Sequence, residues 1–276
     1  MNNIEKDNVF KIIEKWYKRL GFPEEYDEEF YEALKIADVS ENLSIGDYDL
    51  GETDGKKNLV SFLYFCEAAE KEYIKKGISP DICYDTLSDL VAWTKIWSGL
   101  KGGLYFGETG WLKRHLNLEL FKLGRLQFCA GNAHRDMPTE NIAKGDNVIE
   151  IHIPTTGTPM KYEDCVESIK LAKEFFAKHF PEYEYKGFTC NSWLLDTSLG
   201  EILDENSNIM KFQSLFNIVY EEQAEAIMRY TFSWDMNKEK IKDAKPASRL
   251  AEKVKERVLN GGDFHSGLGA IKKELI

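Results

Sequence analysis

The stretch NVIEIHIPTTGTPMKYEDCVESIKLAKEFFAKHFP, residues 147–181, decides the fold. It opens with strict alternation: Ile149, Ile151 and Ile153 fall on one face of a strand, and Val148, Glu150 and His152 on the other. After the turn TTGT the period becomes helical. Thr158 reads as the helix cap and Pro159 as the first helical residue, while Cys165, Ile169, Ala172 and Phe176 form a stripe spaced to pack on a sheet. Pro181 ends the helix, and GFTCNSWLLD (187–196) supplies a further strand able to return parallel to the first.

On the N-terminal side of this unit, LFKLGRLQFCAG (120–131) alternates as a strand. The polar GNAHRDMPTENIAKGDN (131–147) reads as a hairpin loop joining it to NVIEIHIP, so that Arg125, Gln127, Glu150 and His152 share one face. Beyond Asp196 the expected order is short helical segments at TSLGEIL and NIMKFQSLF, strands at FNIVY and AIMRYTFSW, and a last helix in ASRLAEKVKERVLNGG. Residues 5 to 100 are different in kind. Phe10, Ile13, Trp16, Tyr17 and Leu20 line one helix face; a second helix covers about Glu24 to Ala37; the loop SIGDYDLGETDGKK precedes a third, NLVSFLYFCEAAEKEYIKKG. A fourth is expected over SPDICYDTLSDLVAWTKIW, with Ser79 as cap and Pro80 in its first turn. Gly102, Gly103, Gly107 and Gly110 mark the seam. The class is therefore α+β, an all-α N-terminal domain (1–100) followed by a mixed-sheet domain (101–276).

The net charge of −11, from 47 acidic and 36 basic residues spread along the chain, argues against a nucleic-acid partner. No segment reaches the ~20 apolar residues of a membrane helix, and the charged MNNIEKDNVFKIIEK has no signal-peptide core. Five scattered cysteines without CxxC fit reduced thiols and a cytoplasmic setting. The motifs of phosphate-loop ATPases, zincins, α/β-hydrolases and dinucleotide-binding enzymes are absent, and His115, His134, His152, His179 and His265 have no ligand spacing, so no metal is expected.

What remains are local candidates. Glu150 and His152 fit a base and its orienting partner, or a solvated strand face. Arg125 fits an anion, or a salt bridge to Glu150. Thr155, Thr156, Gly157 and Thr158 fit a phosphate-binding turn, Thr158 equally a plain cap. Cys190 and Ser192 share a strand face with Phe188 and Leu194; without a glycine elbow, Cys190 reads better as a buried small hydrophobe than as a nucleophile.

Five blocks in order, LGRLQF (123–128), IHIP (151–154), AKEFFAKHFP (172–181), CNSWLLD (190–196) and SNIMKFQSLF (207–216), resemble a bacterial acyltransferase family with an N-terminal helical N-acyltransferase domain and a C-terminal GNAT-like domain. The resemblance implies an acyl-CoA-dependent N-acyltransferase, using acetyl-CoA or a longer acyl-CoA as co-substrate. It would transfer the acyl group directly to an amine or hydroxyl of a small-molecule acceptor. It places Ile151, His152 and Ile153 along the pantetheine, the turn 155–158 at the diphosphate, and Phe188 to Trp193 on the far wall of an acyl slot that opens where the two strands splay. On that reading Glu150 and His152 do base work, Ser192 or a tyrosine from elsewhere replaces the absent acid tyrosine, Cys190 lines the slot, and Arg125, Gln127 and Trp193 meet the acceptor. The sequence departs from the GNAT pattern in having one glycine in TTGTPM and no tyrosine after CNSWLLD. The alternative is a catalytically silent GNAT-like module that binds a small molecule or a protein.

Overall fold

A computed structural model describes residues 3–37, 54–155 and 157–275. The chain divides into two compact units, Met1–Leu123 and Gly124–Ile276. Most of the loop SIGDYDLGETDGKK, and Thr156, lie outside the described residues.

The first unit is helical through residue 116: α1 (Asn3–Leu20), α2 (Asp27–Ile36), α3 (Gly55–Lys75), α4 (Pro80–Leu87), α5 (Asp89–Lys101) and α6 (Thr109–Leu116), closed by the short strand β1 (Leu120–Leu123). Ile13, Trp16, Tyr17 and Leu20 are buried, as their spacing requires. Asp54 caps α3 by accepting from the Lys56 and Lys57 amides, and Ser79 caps α4 with Pro80 in the first turn. The fourth expected helix is in fact two. It breaks at Ser88, whose Oγ donates to the Asp85 carbonyl and which serves as the end of α4 and the start of α5.

The second unit contributes five strands to a mixed sheet, in the order β2-β3-β4-β6-β5: β2 (Leu126–Asn132), β3 (Asn147–His152), β4 (Phe188–Ser192), β5 (Phe216–Gln223) and β6 (His265–Ile271). β2 and β3 pair antiparallel, with Gln127 opposite His152 and Cys129 opposite Glu150. The connection from β3 to β4 contains α7 (Tyr162–His179) and the two strands run parallel. Cys165, Ile169, Ala172 and Phe176 of α7 are all buried. Phe176 reaches Phe188 through the ring of Tyr185, so α7 covers the apolar face that carries Phe128, Ile149, Ile151, Phe188 and Cys190.

Three expectations fail here for physical reasons. AIMRYT is not a strand: it forms the helix α9 (Ala226–Thr231), because Ile227 and Met228 are buried among Leu199, Ile241, Val254 and Phe264, a cluster shared with α10 (Arg249–Leu259). Leu123 and Leu126 belong to different strands, separated by a turn at Gly124 (φ 69°) and Arg125. Arg125 is therefore at a turn, not on the face of Gln127, Glu150 and His152.

The third is an omission. β6, which lies between β4 and β5, was not expected from HSGLGAI. Its glycines are required by crowding: a Cβ on Gly269 would stand 2.8 Å from the Asn217 carbonyl oxygen, and one on Gly267 would collide with the Leu195 carbonyl. Both obstacles are backbone. Gly269→Ala is accordingly expected to cost about 1–3 kcal/mol, the range for overpacking a filled interior; an unchanged urea midpoint would contradict it.

Candidate active site

The face of the sheet opposite α7 carries the chemistry. The β2–β3 register puts Gln127 beside His152 and Cys129 beside Glu150, all on this face. The Cys129 thiol donates to Glu150 Oε2 at 3.4 Å and lies 3.3 Å from His152 Nε2; His152 Nε2 is 3.6 Å from the same carboxylate oxygen. His134, from the β2–β3 loop, brings its Nε2 within 3.7 Å of Glu150 Oε1. Cys129 is buried, whereas Glu150 and His152 are partly open to solvent, with side chains 23% and 31% exposed. The carboxylate and imidazole thus form the accessible surface of the cluster.

Backbone geometry makes room for it. A Cβ on Gly131, two residues beyond Cys129, would overlap the Glu150 carboxylate. The hydroxyl of Tyr183 accepts from the Gly131 amide (3.1 Å) and donates toward the Gly131 and Val148 carbonyls (2.7 and 3.0 Å), clamping the two strands beside Glu150. Burial raises the Tyr183 pKa, which keeps that proton in place. Gly131→Ala would push aside the end of a flexible side chain, so it is expected to fold with a stability loss of about 1 kcal/mol or less and yet to lower turnover by displacing Glu150. Equal loss of turnover and of folded protein would contradict this.

The cluster stands at a fork. β3 and β4 pair over Ile149–Phe188, Glu150–Thr189 and Ile151–Cys190 and no further among the described residues. Each strand then continues with its outer neighbour, His152 with Gln127, and Asn191 and Ser192 with Leu268 and Gly267. On the same face a cleft of about 440 Å³ is lined by His134, Arg135, Asp136, Lys144, Asn191, Tyr220, Glu222 and Leu268. His134 belongs to both the cleft and the cluster. The Arg135 guanidinium lies over the Tyr220 ring, 3.5 Å from its centroid.

The remaining sequence candidates are distributed around the fork. Ile151 is buried under α7; Ile153 lies just past the strand end and is half-buried. Thr155, Gly157 and Thr158 are exposed, Gly157 with φ 71°. Thr158 does not cap α7. The helix starts at Tyr162 with Lys161 at the cap position and no side-chain cap, and the Tyr162 amide donates to Asn208 Oδ1 instead. Arg125 sends Nη1 to the Pro154 carbonyl at 3.0 Å, while Nε is buried with no hydrogen-bond partner; burial lowers its pKa. It therefore ties down the exit of β3, while the Glu150 carboxylate faces His152 and His134. Gln127 is buried beside His152. Ser192 Oγ accepts from the Leu194 amide and so caps the turn after β4. Trp193 packs into the cluster around Leu199 and stacks on Tyr230.

Cys190 is buried and burial pushes its thiol pKa up to about 12, so it stays protonated at neutral pH. In the folded protein Cys190 should resist iodoacetamide at neutral pH and react only in denaturant; peptide mass mapping that finds native labelling would contradict this. Sequence reasoning missed Cys129, His134 and Tyr183. Only Cys129 had a legible signal, its place two residues from Gln127 on an alternating strand.

Residues 120–271 match the family described as GNAT-like C-terminal domain, and residues 12–118 the N-acyltransferase N-terminal domain. The chain belongs to this GNAT-like family. Comparison with curated proteins finds no match. Among solved structures, an acyltransferase in complex with decanoyl-CoA is 25% identical with a TM-score of 0.67, over 78% of this chain and 65% of that one. An acyltransferase in complex with CoA and 10C-teicoplanin is 24% identical with a TM-score of 0.68, over 78% and 66%. A third, an acyltransferase in complex with decanoyl-CoA and teicoplanin, shares the fold at 21% identity and a TM-score of 0.77, over 98% and 93%. The GNAT-like chain thus spans about two thirds of the length of the first two structures. Among its described residues no helix is long and apolar enough to cross a membrane.

Proposed function

We propose that this GNAT-like protein transfers an acyl group from acyl-CoA directly to an amine or hydroxyl of a small-molecule acceptor. The observation that carries the reading is the partly exposed Glu150–His152 pair at the point where β3 and β4 stop pairing. The thioester enters the fork, and the acceptor comes from the cleft lined by His134, Asn191 and Tyr220. The acceptor nitrogen or oxygen attacks the thioester carbon; the new bond forms as the carbon–sulfur bond breaks. Glu150, with His152 beside it, takes the acceptor proton. The CoA thiolate leaves and takes a proton; Ser192, whose Oγ accepts from the Leu194 amide, is the donor we assign. The backbone around Ile151 and Ile153, the turn at Thr155, Gly157 and Thr158, and Cys190 form the cofactor side; Arg125 acts by fixing Pro154. Five cysteines without a disulfide among the described residues favour a cytoplasmic setting.

The solved structures of similar fold bound to acyl-CoA lend support. Ligand-induced stabilisation tests it directly. Decanoyl-CoA or acetyl-CoA at 100 times its Kd should add about 2.7 kcal/mol of stability, raising Tm by several degrees, and CoA release should appear with an amine panel. No shift with any acyl-CoA at millimolar concentration would remove the proposal.

The silent-module alternative draws on one observation. The first turn of α7 carries Glu163 and Asp164, which oppose a diphosphate at that terminus. On that alternative acyl-CoA binds weakly and no amine yields free CoA.

A further inference from the structure

We infer that Cys129, Glu150 and His152 form a binding site for a thiophilic divalent cation, Zn²⁺. One ligand atom from each, the thiol sulfur, a carboxylate oxygen and an imidazole nitrogen, lies within 4.8 Å of the other two. The closest separations, 3.3, 3.4 and 3.6 Å, make a nearly equilateral triangle. In a tetrahedral zinc site with bonds of about 2.0–2.3 Å, ligand atoms stand about 3.3–3.7 Å apart. The triangle is therefore already one face of that tetrahedron, and the fourth position is left to water.

The donor set selects the metal: a sulfur and an imidazole favour zinc over magnesium or calcium, which take oxygen. Access is from the solvent side, through the partly exposed Glu150 and His152, with Cys129 as the floor. Tyr183 and Gly131 hold the two strands in register beneath it, so the donors need little rearrangement. Binding releases one proton, that of the Cys129 thiol, to solvent; thiolate, imidazole and carboxylate each donate a lone pair and nothing is oxidised or reduced. Zinc would occupy the same lone pairs that take the acceptor proton, so it should inhibit acyl transfer. That consequence rests on the base assignment proposed above; the binding itself does not.

Cobalt(II) serves as the spectroscopic probe on the full chain, without acyl-CoA. The wild type should show a sulfur-to-cobalt charge-transfer band that zinc abolishes by displacement. Cys129→Ser should lose the band although Cys66, Cys83, Cys165 and Cys190 remain, and should raise the zinc Kd at least tenfold. Glu150→Gln, at a partly exposed position, should raise it similarly and covers the case in which the buried Cys129 variant folds poorly. No band in the wild type, or a band retained in folded Cys129→Ser, overturns the site. If zinc binds as expected but turnover is unaffected, the site stands and the base assignment falls.

Discussion

Glu150→Gln is expected to lower the turnover number for acyl transfer by about 10²–10⁴-fold, the span for removing a general base, or about 3–5 kcal/mol of transition-state stabilisation. The substitution keeps the size of the side chain and its ability to accept from the Cys129 thiol, so the strands and their register should survive. What it removes is the negative charge and the basicity that the acceptor proton needs. His152→Ala should have a similar effect, since His152 faces the same carboxylate oxygen at 3.6 Å. The double variant should be little worse than either single one, because residues acting as a unit are strongly non-additive. Acyl-CoA affinity, measured by calorimetry, should stay within about threefold, as neither side chain is needed to hold the cofactor in the fork. Equal losses in affinity and turnover would move these residues from chemistry to binding. Unchanged turnover would leave the carboxylate as a solvated strand residue.

How far the sequence could go is clearest on either side of this pair. The alternation in NVIEIHIP is a local property, and pairing it with LQFCAG needed only the assumption of a hairpin; the register then brought Gln127, Glu150 and His152 to one face. The buried stripe of α7 was legible for the same reason, since 3.6-residue spacing does not depend on the partner. β6 was not legible, because what makes HSGLGAI a strand is the close approach of the Asn217 and Leu195 carbonyls, which come from distant segments. AIMRYT has β-branched and aromatic residues that suggest a strand, and burial of Ile227 and Met228 against Phe264 and Val254 overrides that preference.

The start of α7 illustrates a subtler limit. Thr158-Pro159 has the composition of a helix entrance, and yet the helix begins at Tyr162, where the amide finds Asn208 from α8 (Asn208–Gln213). A capping residue supplied from forty-six positions away in the chain leaves no mark near the cap itself. The cleft has the same origin: His134, Asn191 and Tyr220 come from a loop and two non-consecutive strands, and only the sheet order brings them together.

Asp196→Ala should destabilise the second unit by about 2–6 kcal/mol, from two partly buried backbone donors left without partners at about 1–3 kcal/mol each. The carboxylate is 1% exposed. Its Oδ1 accepts from the Ser198 amide at 2.9 Å, capping the short helical turn Thr197–Glu201, and its Oδ2 accepts from the His265 amide at 2.7 Å, where β6 begins. One side chain therefore joins the exit of the strand that walls the fork to the entrance of the strand beside it. Asp196→Asn separates hydrogen bonding from mere size: an amide can accept from one of the two N–H groups, but its own NH₂ then faces the other, so most of the loss should persist. The urea midpoint reads the effect directly, with the slope unchanged if the unfolded chain is unaltered. Because Asp196 lies beyond Ser192 and its carboxylate is engaged by the Ser198 and His265 amides, folded Asp196→Asn measured at low temperature should keep turnover within about tenfold of wild type. A loss of turnover as large as that of Glu150→Gln, with stability unchanged, would instead make this carboxylate part of the chemistry.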